Sequence, residues 1–518
     1  MQPRTIPDLL IQSARRRPEK ALLIHKGLQT SYGQLLEWAL KTAGWLRELG
    51  VCPGFRGAIL SDDPQEYIAS YFGIMMAGGI AVGLNSQTSE RALTYYLQDS
   101  GAELLFMNRR YARLVEKVTQ EAGKALPLKK SVDSSGMEQI WQHGTAPSYE
   151  DLAFRTGCDP AQIIYTSGTT GRPKGVVLRH ANLLSNTASI VEYLGILPED
   201  RVMAVLPFFY SYGNSILLTH IAKGATLIVN QNFVYPNTIL DEMVRWEATG
   251  FSGVPSTYAL LIYRSNLSKY SFPSLRYLTQ AGAPMSPALA HRLLELFPGV
   301  DIFIMYGQTE ASARLSYLPP GELLKRPGSI GIPIPGVELR LLDDDGRKVP
   351  RGETGEIVAR GENIMAGYWN APEATAQVLR PEGLRTGDLA WQDEEGYFYI
   401  VSRKSDMIKS GSHRIAPKEI EDVAMEFDGL AEAAVVGVSD TILGEAIWLF
   451  AVPDPNATVD MRLLKRHLRQ ILPAYKVPHE IRLVDSLPKT ATGKIKKQEL
   501  KDQAEQEKGS RHKEDIEI

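Results

Sequence analysis

Apolar and polar positions alternate between two textures along most of the chain. Arg201-Val202-Met203-Ala204-Val205-Leu206 and Ala225-Thr226-Leu227-Ile228-Val229 are short apolar runs, which predicts buried strands. Between such runs the spacing turns helical: Leu289, Leu293, Leu294 and Phe297 share one face of a stretch that Ser286-Pro287 opens and Pro298-Gly299 stops. From Ile68 to Arg91 the only charge before the last residue is Glu90, yet Gly73, Gly78, Gly79, Gly83 and Asn85 interrupt the stretch. Its apolar part is shorter than the ~20 residues that span a bilayer, so a buried helix followed by a core strand is expected. This is an α/β pattern. No fixed-period repeat stands out.

The texture changes after Tyr397-Phe398-Tyr399-Ile400-Val401. Beyond the charged stretch Ser402 to Asp406 come two strand-like runs, Ala433 to Val438 and Ala446 to Val452, and a helix at Met461 to Leu472. The division expected is a large N-terminal domain of packed sheets and helices over 1–402, then a small α+β domain over 403–518, a size within the usual range. The charge-rich tail from Lys501 to Ile518 is read as a helix end fraying into solvent.

Composition narrows the function classes. The 518 residues are 44% hydrophobic and 23% charged, ordinary globular usage that argues against disorder. Lys and Arg number 57 against 60 Asp and Glu, a net charge of -3, so no global basic surplus invites nucleic acid or an anionic membrane. Phosphate binding must be local. Cys52 and Cys158 cannot build a disulfide framework or a cysteine-rich zinc site, which fits a reducing, cytoplasmic compartment. The first twenty residues carry Arg4, Asp8, Arg15, Arg16 and Arg17 without the apolar core of a secretory signal, and are read as mature protein.

One loop suits phosphate. Ala161 to Tyr165 reads as a strand, Thr166-Ser167-Gly168-Thr169-Thr170-Gly171-Arg172-Pro173-Lys174 as a loop, and Gly175 to Leu178 as another strand. Glycines let backbone amides turn toward an anion, hydroxyls add donors and lysine adds charge. The spacing is not that of a Walker A loop, and a strand rather than a helix follows. A flexible hairpin tip of the same composition is the alternative.

Tyr165 to Gly175 resembles the phosphate-loop signature of the adenylate-forming superfamily, which comprises acyl- and aryl-CoA synthetases, adenylation domains of peptide synthetases and luciferases. Further landmarks follow in order: Ala281-Gly282-Ala283-Pro284, Tyr306-Gly307-Gln308-Thr309-Glu310, Thr386-Gly387-Asp388, Arg403 with Lys409 and Gly411, and Pro488 to Lys494. The likeness covers nearly the whole chain. It implies that Thr166, Ser167, Gly168, Thr169, Thr170, Gly171 and Lys174 hold the phosphates of ATP, that Gly282, Ala283, Pro284 and Gly307 flank the nucleotide, and that Tyr306 stacks on the base. It further implies that Thr309 contacts the α-phosphate, Glu310 is the Mg²⁺ ligand, Asp388 and Arg403 hold the ribose, and Lys494 is the catalytic lysine. Each assignment makes chemical sense. Asp301 to Met305 is a core strand, so Tyr306 to Glu310 lies just beyond its carboxyl end, where open α/β sheets place ligands. A carboxylate suits a hard divalent cation, and an ammonium between two anionic reactants stabilises the transition state.

The resemblance also implies that the small domain turns about a hinge near residue 405 between two half-reactions, bringing Lys409, Ser412 and Arg414 to the path of the pantetheine arm. Here the hinge is Ser405, where aspartate or lysine is usual, and Ser412 stands where glycine is common. The acid pocket is expected between Phe208 and Asn214, with Phe209, Tyr210, Ser211 and Asn214 on its wall, Gly253 in the Gly253-Val254-Pro255 turn, and Ala281-Gly282. No aspartate occurs near Ser211 to neutralise a buried ammonium, whose desolvation is costly, so a neutral-tailed acid is expected over an α-amino acid. The function expected is ATP-dependent formation of acyl-AMP from a small carboxylic acid, then transfer to the thiol of coenzyme A. The alternative acceptor is the phosphopantetheine thiol of an acyl or peptidyl carrier protein, with an imino or amino acid such as proline as substrate. A non-catalytic nucleotide-binding homologue is disfavoured by Lys494, Glu310 and Asp388, and nothing requires a luciferase-like oxygenase, although Lys409 occupies a position used there.

Overall fold

The computed structural model describes residues 3–152, 156–166, 172–232, 235–411, 413–454, 457–489 and 495–514, with side chains through 508 except that of Lys124. Ser167 to Gly171, Ser412 and Lys494 lie outside these residues.

The apolar runs become strands because each has a core on both sides. Among the described residues, one sheet of seven strands runs in the order Gly367–Tyr368, Lys174–Arg179, Pro160–Thr166, Ile80–Gly83, Arg56–Leu60, Leu104–Met107, Lys130–Val132. Successive side chains of a strand point to opposite faces. Accordingly Ile59 packs into the large core while its neighbours Ala58 and Leu60 pack into a second cluster on the far face. The helix Pro64–Met76 is buried on nearly all sides, since its sequence is apolar all round, and Asp63 caps it by accepting from the amides of Gln65 and Glu66.

A second, fourteen-stranded sheet carries the other half of the core. Its middle strands, Asp301–Tyr306, Tyr277–Gln280, Gly250–Gly253, Arg201–Ala204 and Thr226–Val229, are neighbours and parallel. Beyond Asp301–Tyr306 the pairing turns antiparallel and runs out through Phe398–Arg403 and Gly383–Gln392. The helical stretch expected after Ser286 forms as Pro287–Leu296, and the Ser286 hydroxyl accepts from the Leu289 amide at 3.2 Å.

The C-terminal region builds its own sheet around the long hairpin Leu430–Asp440 and Gly444–Pro453. Val435, Ile447 and Leu449 face Ile420, Leu464 and Leu468 of two helices, whereas Val436, Trp448 and Phe450 face Leu500 and Ala504 of the helix Lys497–Glu514. The tail thus continues as helix to Glu514, with Leu500 and Ala504 as buried contacts. These clusters draw only on residues from Ile408 onward, and the larger ones only on residues up to Ile400. Among the described residues no helix is long and apolar enough to cross a membrane.

Candidate functional site

A cleft of about 1420 Å³ opens beyond the carboxyl ends of the parallel strands and is closed on one side by Lys489 and Lys496 of the C-terminal region. Strand Asp301–Tyr306 ends immediately before Gly307, Gln308, Thr309 and Glu310, which line it. The chain then reverses: the Leu315 amide returns to the Tyr306 carbonyl at 2.9 Å, and Thr309–Ala311 forms a single tight turn. Gly307 is required there, because a Cβ at this position would sit 2.1 Å from the Ala313 carbonyl oxygen. Thr309 and Glu310 are thereby held on the cleft wall.

Asp388 and Arg403 meet because they are directly opposed in the pairing of Gly383–Gln392 with Phe398–Arg403. The Arg403 Nε donates to Asp388 Oδ1 at 3.0 Å, and the Tyr306 hydroxyl donates to Asp388 Oδ2 at 2.6 Å. Gly387, at φ +75°, supplies the left-handed turn before this carboxylate, and the Thr386 hydroxyl accepts from the Asp388 amide at 3.1 Å. The Asp388 carboxylate raises the pKa of Arg403. Burial, and then Asp388, push the Tyr306 phenol far up. A carboxylate has about four lone-pair sites, so Asp388 keeps acceptor capacity for ligand hydroxyls after both contacts are made.

Glu310 is held from the other side. The Tyr368 hydroxyl donates to Glu310 Oε1 at 2.8 Å, and the Lys174 ammonium lies 5.1 Å from the centre of the Tyr368 ring. Thr166 and Lys174 are themselves paired at the mouth of the phosphate-suited loop, the last described residues of its two strands being register partners there. The positions between them expected to hold phosphate, Ser167, Gly168, Thr169, Thr170 and Gly171, lie outside the described residues. Lys489 pairs with Ile495 in an antiparallel bridge; Lys494 also lies outside the described residues.

The wall expected to hold the acid includes Ser211, the first residue of the helix Ser211–Lys223, whose hydroxyl accepts from Thr309 Oγ1 at 3.2 Å. Phe209, Tyr210 and Ser211 line the cleft with Gly282. Asn214, expected on this wall, lies behind it: it is 2% exposed and its amide donates to Gln162 Oε1 at 3.1 Å. Gly253 and Ala281 are likewise buried beneath the surface. Ala283 accepts from the Gln280 side chain at 2.6 Å, and Pro284 is exposed on the turn that follows. Lys409 and Arg414 face each other across the hairpin Ile408–Ser410 and His413–Ile415, where the Lys409 amide donates to Glu445 at 2.7 Å, and neither lines the cleft.

Tyr368 carries little sequence signal. It stands in a Gly-Tyr-Trp cluster whose only signal is the adjacent pair of aromatics, and its partner Glu310 is 58 residues away.

The AMP-binding enzyme model matches residues 10–369, and the AMP-binding enzyme C-terminal domain matches residues 419–494. The chain belongs to the AMP-binding enzyme family. A feruloyl-CoA synthase of Amycolatopsis sp is 34% identical over 493 residues, covering 95% of this chain and 97% of that one. A long-chain-fatty-acid–CoA ligase of Salmonella typhimurium is 30% identical over 543 residues, covering 96% and 94%. Among solved structures of the family, an anthranilate CoA ligase in complex with anthranoyl-AMP superposes with a TM-score of 0.91 at 29% identity, covering 98% of this chain and 99% of that one. The α/β class and the large and small parts expected from the resemblance are those of the family.

Proposed function

We propose that the cleft is the active site of an AMP-forming acid–CoA ligase. The observation that carries this reading is that Arg403, Thr309 and Glu310 line one cleft, with Tyr306 and Asp388 bonded to each other and to Arg403 directly behind its wall, at the strand ends of a chain that matches the family at both its large and its small part. The enzyme activates a carboxylic acid with ATP: a carboxylate oxygen attacks the α-phosphorus, the bond to the bridging oxygen breaks, and pyrophosphate leaves. The thiol of coenzyme A, deprotonated as it attacks, then takes the acyl group, and AMP departs with the carboxylate oxygen.

In this reading Tyr306 stacks on adenine, while Asp388 and Arg403 orient the ribose. Thr309, placed between Ser211 and Glu310, holds the α-phosphate beside the incoming carboxylate. Residues Thr166 to Lys174 clasp the β- and γ-phosphates. Glu310 has one oxygen engaged by Tyr368, and among the described residues no group of three or more His, Cys, Asp or Glu could hold a metal ion. A single carboxylate plus substrate phosphates is how Mg²⁺ is usually bound, so the donor set fits, and the ion would neutralise phosphate charge. Lys494 supplies the ammonium that bridges the reactants. The small domain begins near Arg403 and turns about Ser405, so that Lys409, Ser412 and Arg414 serve the thioester step.

Coenzyme A is favoured over a carrier protein, because the relatives of similar length are CoA ligases. The test is pyrophosphate exchange over a panel of acids, followed by AMP release with coenzyme A or with carrier protein. No exchange with any acid overturns the reading; release with carrier protein alone replaces the acceptor.

A further inference from the structure

The net charge of -3 hides one local departure. In the small part of the chain most cations are matched: Lys418, Lys476, Lys489, Lys496, Lys497 and Lys501 each meet a carboxylate at 2.5 to 3.1 Å. The helix Met461–Ile471 is different. It carries Arg462, Lys465, Arg466 and Arg469, all exposed, and no acidic residue stands between Asp460 and Glu480. None of these four side chains forms an ion pair or a hydrogen bond among the described residues. The helix packs on Pro417–Met425, with His467 Nε2 at 3.0 Å from the Val423 carbonyl, but the carboxylates there are engaged elsewhere: Glu419 with Lys476, Glu421 with Lys497 and Asp422 with Lys418.

Positions 462, 465, 466 and 469 are three and four residues apart, so the cations form one stripe along the helix. Leu464 and Leu468, both fully buried, anchor the opposite side in the core of the small part. Like charges at this spacing repel, and a cation in the first turn opposes the positive end of the helix. The stripe therefore weakens its own helix, which the Asp460 cap, accepting from the amides of Arg462 and Leu463, offsets in part. Apolar groups are exposed beside it. Leu463, adjacent to Arg462 and one turn from Arg466, is 52% exposed. Ile471 and Tyr475 are exposed at the C-terminal end, where the Tyr475 ring stacks on His413 at 4.1 Å.

We infer that this face attaches the protein to an anionic lipid surface, with the helix lying along the headgroups. Lipid phosphates supply the anions that the stripe lacks, and each Lys or Arg near such a surface strengthens attachment about fivefold. Leu463 meets the boundary between headgroups and acyl chains, which gives an exposed apolar side chain among cations a partner. A nucleic acid would match the charge but leave Leu463, Ile471 and Tyr475 without one. Among the described residues no helix can cross a membrane, so the attachment is peripheral and weakened by salt. No residue of Met461–Ile471 lines the cleft, so the stripe can be occupied without filling it.

The experiment is co-sedimentation of the full chain with vesicles of phosphatidylcholine, alone or with about one-third phosphatidylglycerol. At about 50 mM salt the anionic vesicles should bind at least about tenfold more tightly than the neutral ones, and at about 500 mM the difference should vanish. Arg462→Gln, Lys465→Gln, Arg466→Gln and Arg469→Gln together should reduce binding to the level of neutral vesicles, whereas Arg462→Lys, Arg466→Lys and Arg469→Lys together should keep it. Leu463→Gln should weaken attachment severalfold with the salt dependence unchanged. Pyrophosphate exchange at the wild-type rate in the glutamine variant reports an intact fold and cleft, and the salt series decides by itself if that variant does not fold. No binding to anionic vesicles, equal binding to both kinds, or wild-type binding by a folded glutamine variant overturns the inference. Tighter binding to double-stranded DNA or RNA than to anionic vesicles also overturns it and assigns the stripe to a nucleic acid.

Discussion

Glu310 is the carboxylate proposed to hold the cation, and its surroundings fix its orientation. Tyr368 donates to one of its oxygens and is itself topped by Lys174, so the side chain is oriented through that oxygen. Glu310→Gln keeps the size and the contact with Tyr368 but loses the charge a hard divalent ion prefers. Magnesium-dependent pyrophosphate exchange should disappear with the folded state intact, as circular dichroism would report; an unchanged magnesium titration would place the ion elsewhere. Lys494 is proposed to act only on charge that develops during phosphoryl transfer, where losing one such donor typically costs ~3–4 kcal/mol. Lys494→Ala should therefore lower pyrophosphate exchange by two to three powers of ten while thioester formation from supplied acyl-AMP largely survives. Exchange near the wild-type rate in this variant would remove the assignment.

The helix Ser211–Lys223 joins the site to the core, and its length explains why its residues divide as they do. Ser211 and Tyr212 reach the cleft, Asn214 bonds inward to Gln162, and His220 is buried with Nδ1 against the Ile216 carbonyl and Nε2 against the Tyr277 hydroxyl at 3.0 Å. This imidazole is neutral in the folded chain, donating through Nδ1 and accepting through Nε2. Burial pushes its pKa from 6.5 down to about 4. The unfolded chain binds this proton more tightly, so the stability His220 contributes is complete above about pH 6.5 and is lost as pH falls toward 4. Between pH 7 and pH 5 the loss should be ~2 kcal/mol, from about 1.4 kcal/mol per unit of pKa difference. Denaturant titrations at the two pH values would measure it, with His220→Gln expected to shrink the difference; an equal difference in the variant would show that other groups carry the pH dependence.

At the scale of the whole molecule, two separately cored parts meet at a short link. Lys404 is tied back by its amide to the Gly387 carbonyl at 2.8 Å and by its ammonium to Asp344, whereas the Ser405 hydroxyl meets only the adjacent Asp406 side chain, at 2.9 Å. The arrangement places Lys489 and Lys496 on the cleft and leaves Lys409 and Arg414 off it. Ser405→Pro fixes φ near −65° and removes an amide donor at the proposed pivot. Pyrophosphate exchange should largely persist, coenzyme A-dependent AMP release should fall at least tenfold, and acyl-AMP should accumulate. Equal losses in both assays would indicate misfolding, and no loss in either would move the pivot to another residue.

What the amino-acid order by itself determined is local and serial. The strand runs at Arg201 and Ala225, the capped helix after Ser286, the buried helix before Ile80 and the succession of landmark strings were all legible, because a strand or an amphipathic helix records in its own period which face meets a core. The tertiary structure decided which distant groups share a charge or a hydrogen bond. Tyr306 and Asp388 are 82 residues apart, and only the order of strands in the large sheet brings them to 2.6 Å. Asn214 closes a continuous string from Phe208 that suggests pocket wall, but the helix starts at Ser211 and carries Asn214 around into the core. Arg314 looked like any other charge in the chain. Whether an arginine is solvated, ion-paired or buried against a ring depends on the elements packed against it, and Arg314, 3% exposed with its guanidinium over the Tyr212 ring, is a case the residue string does not show.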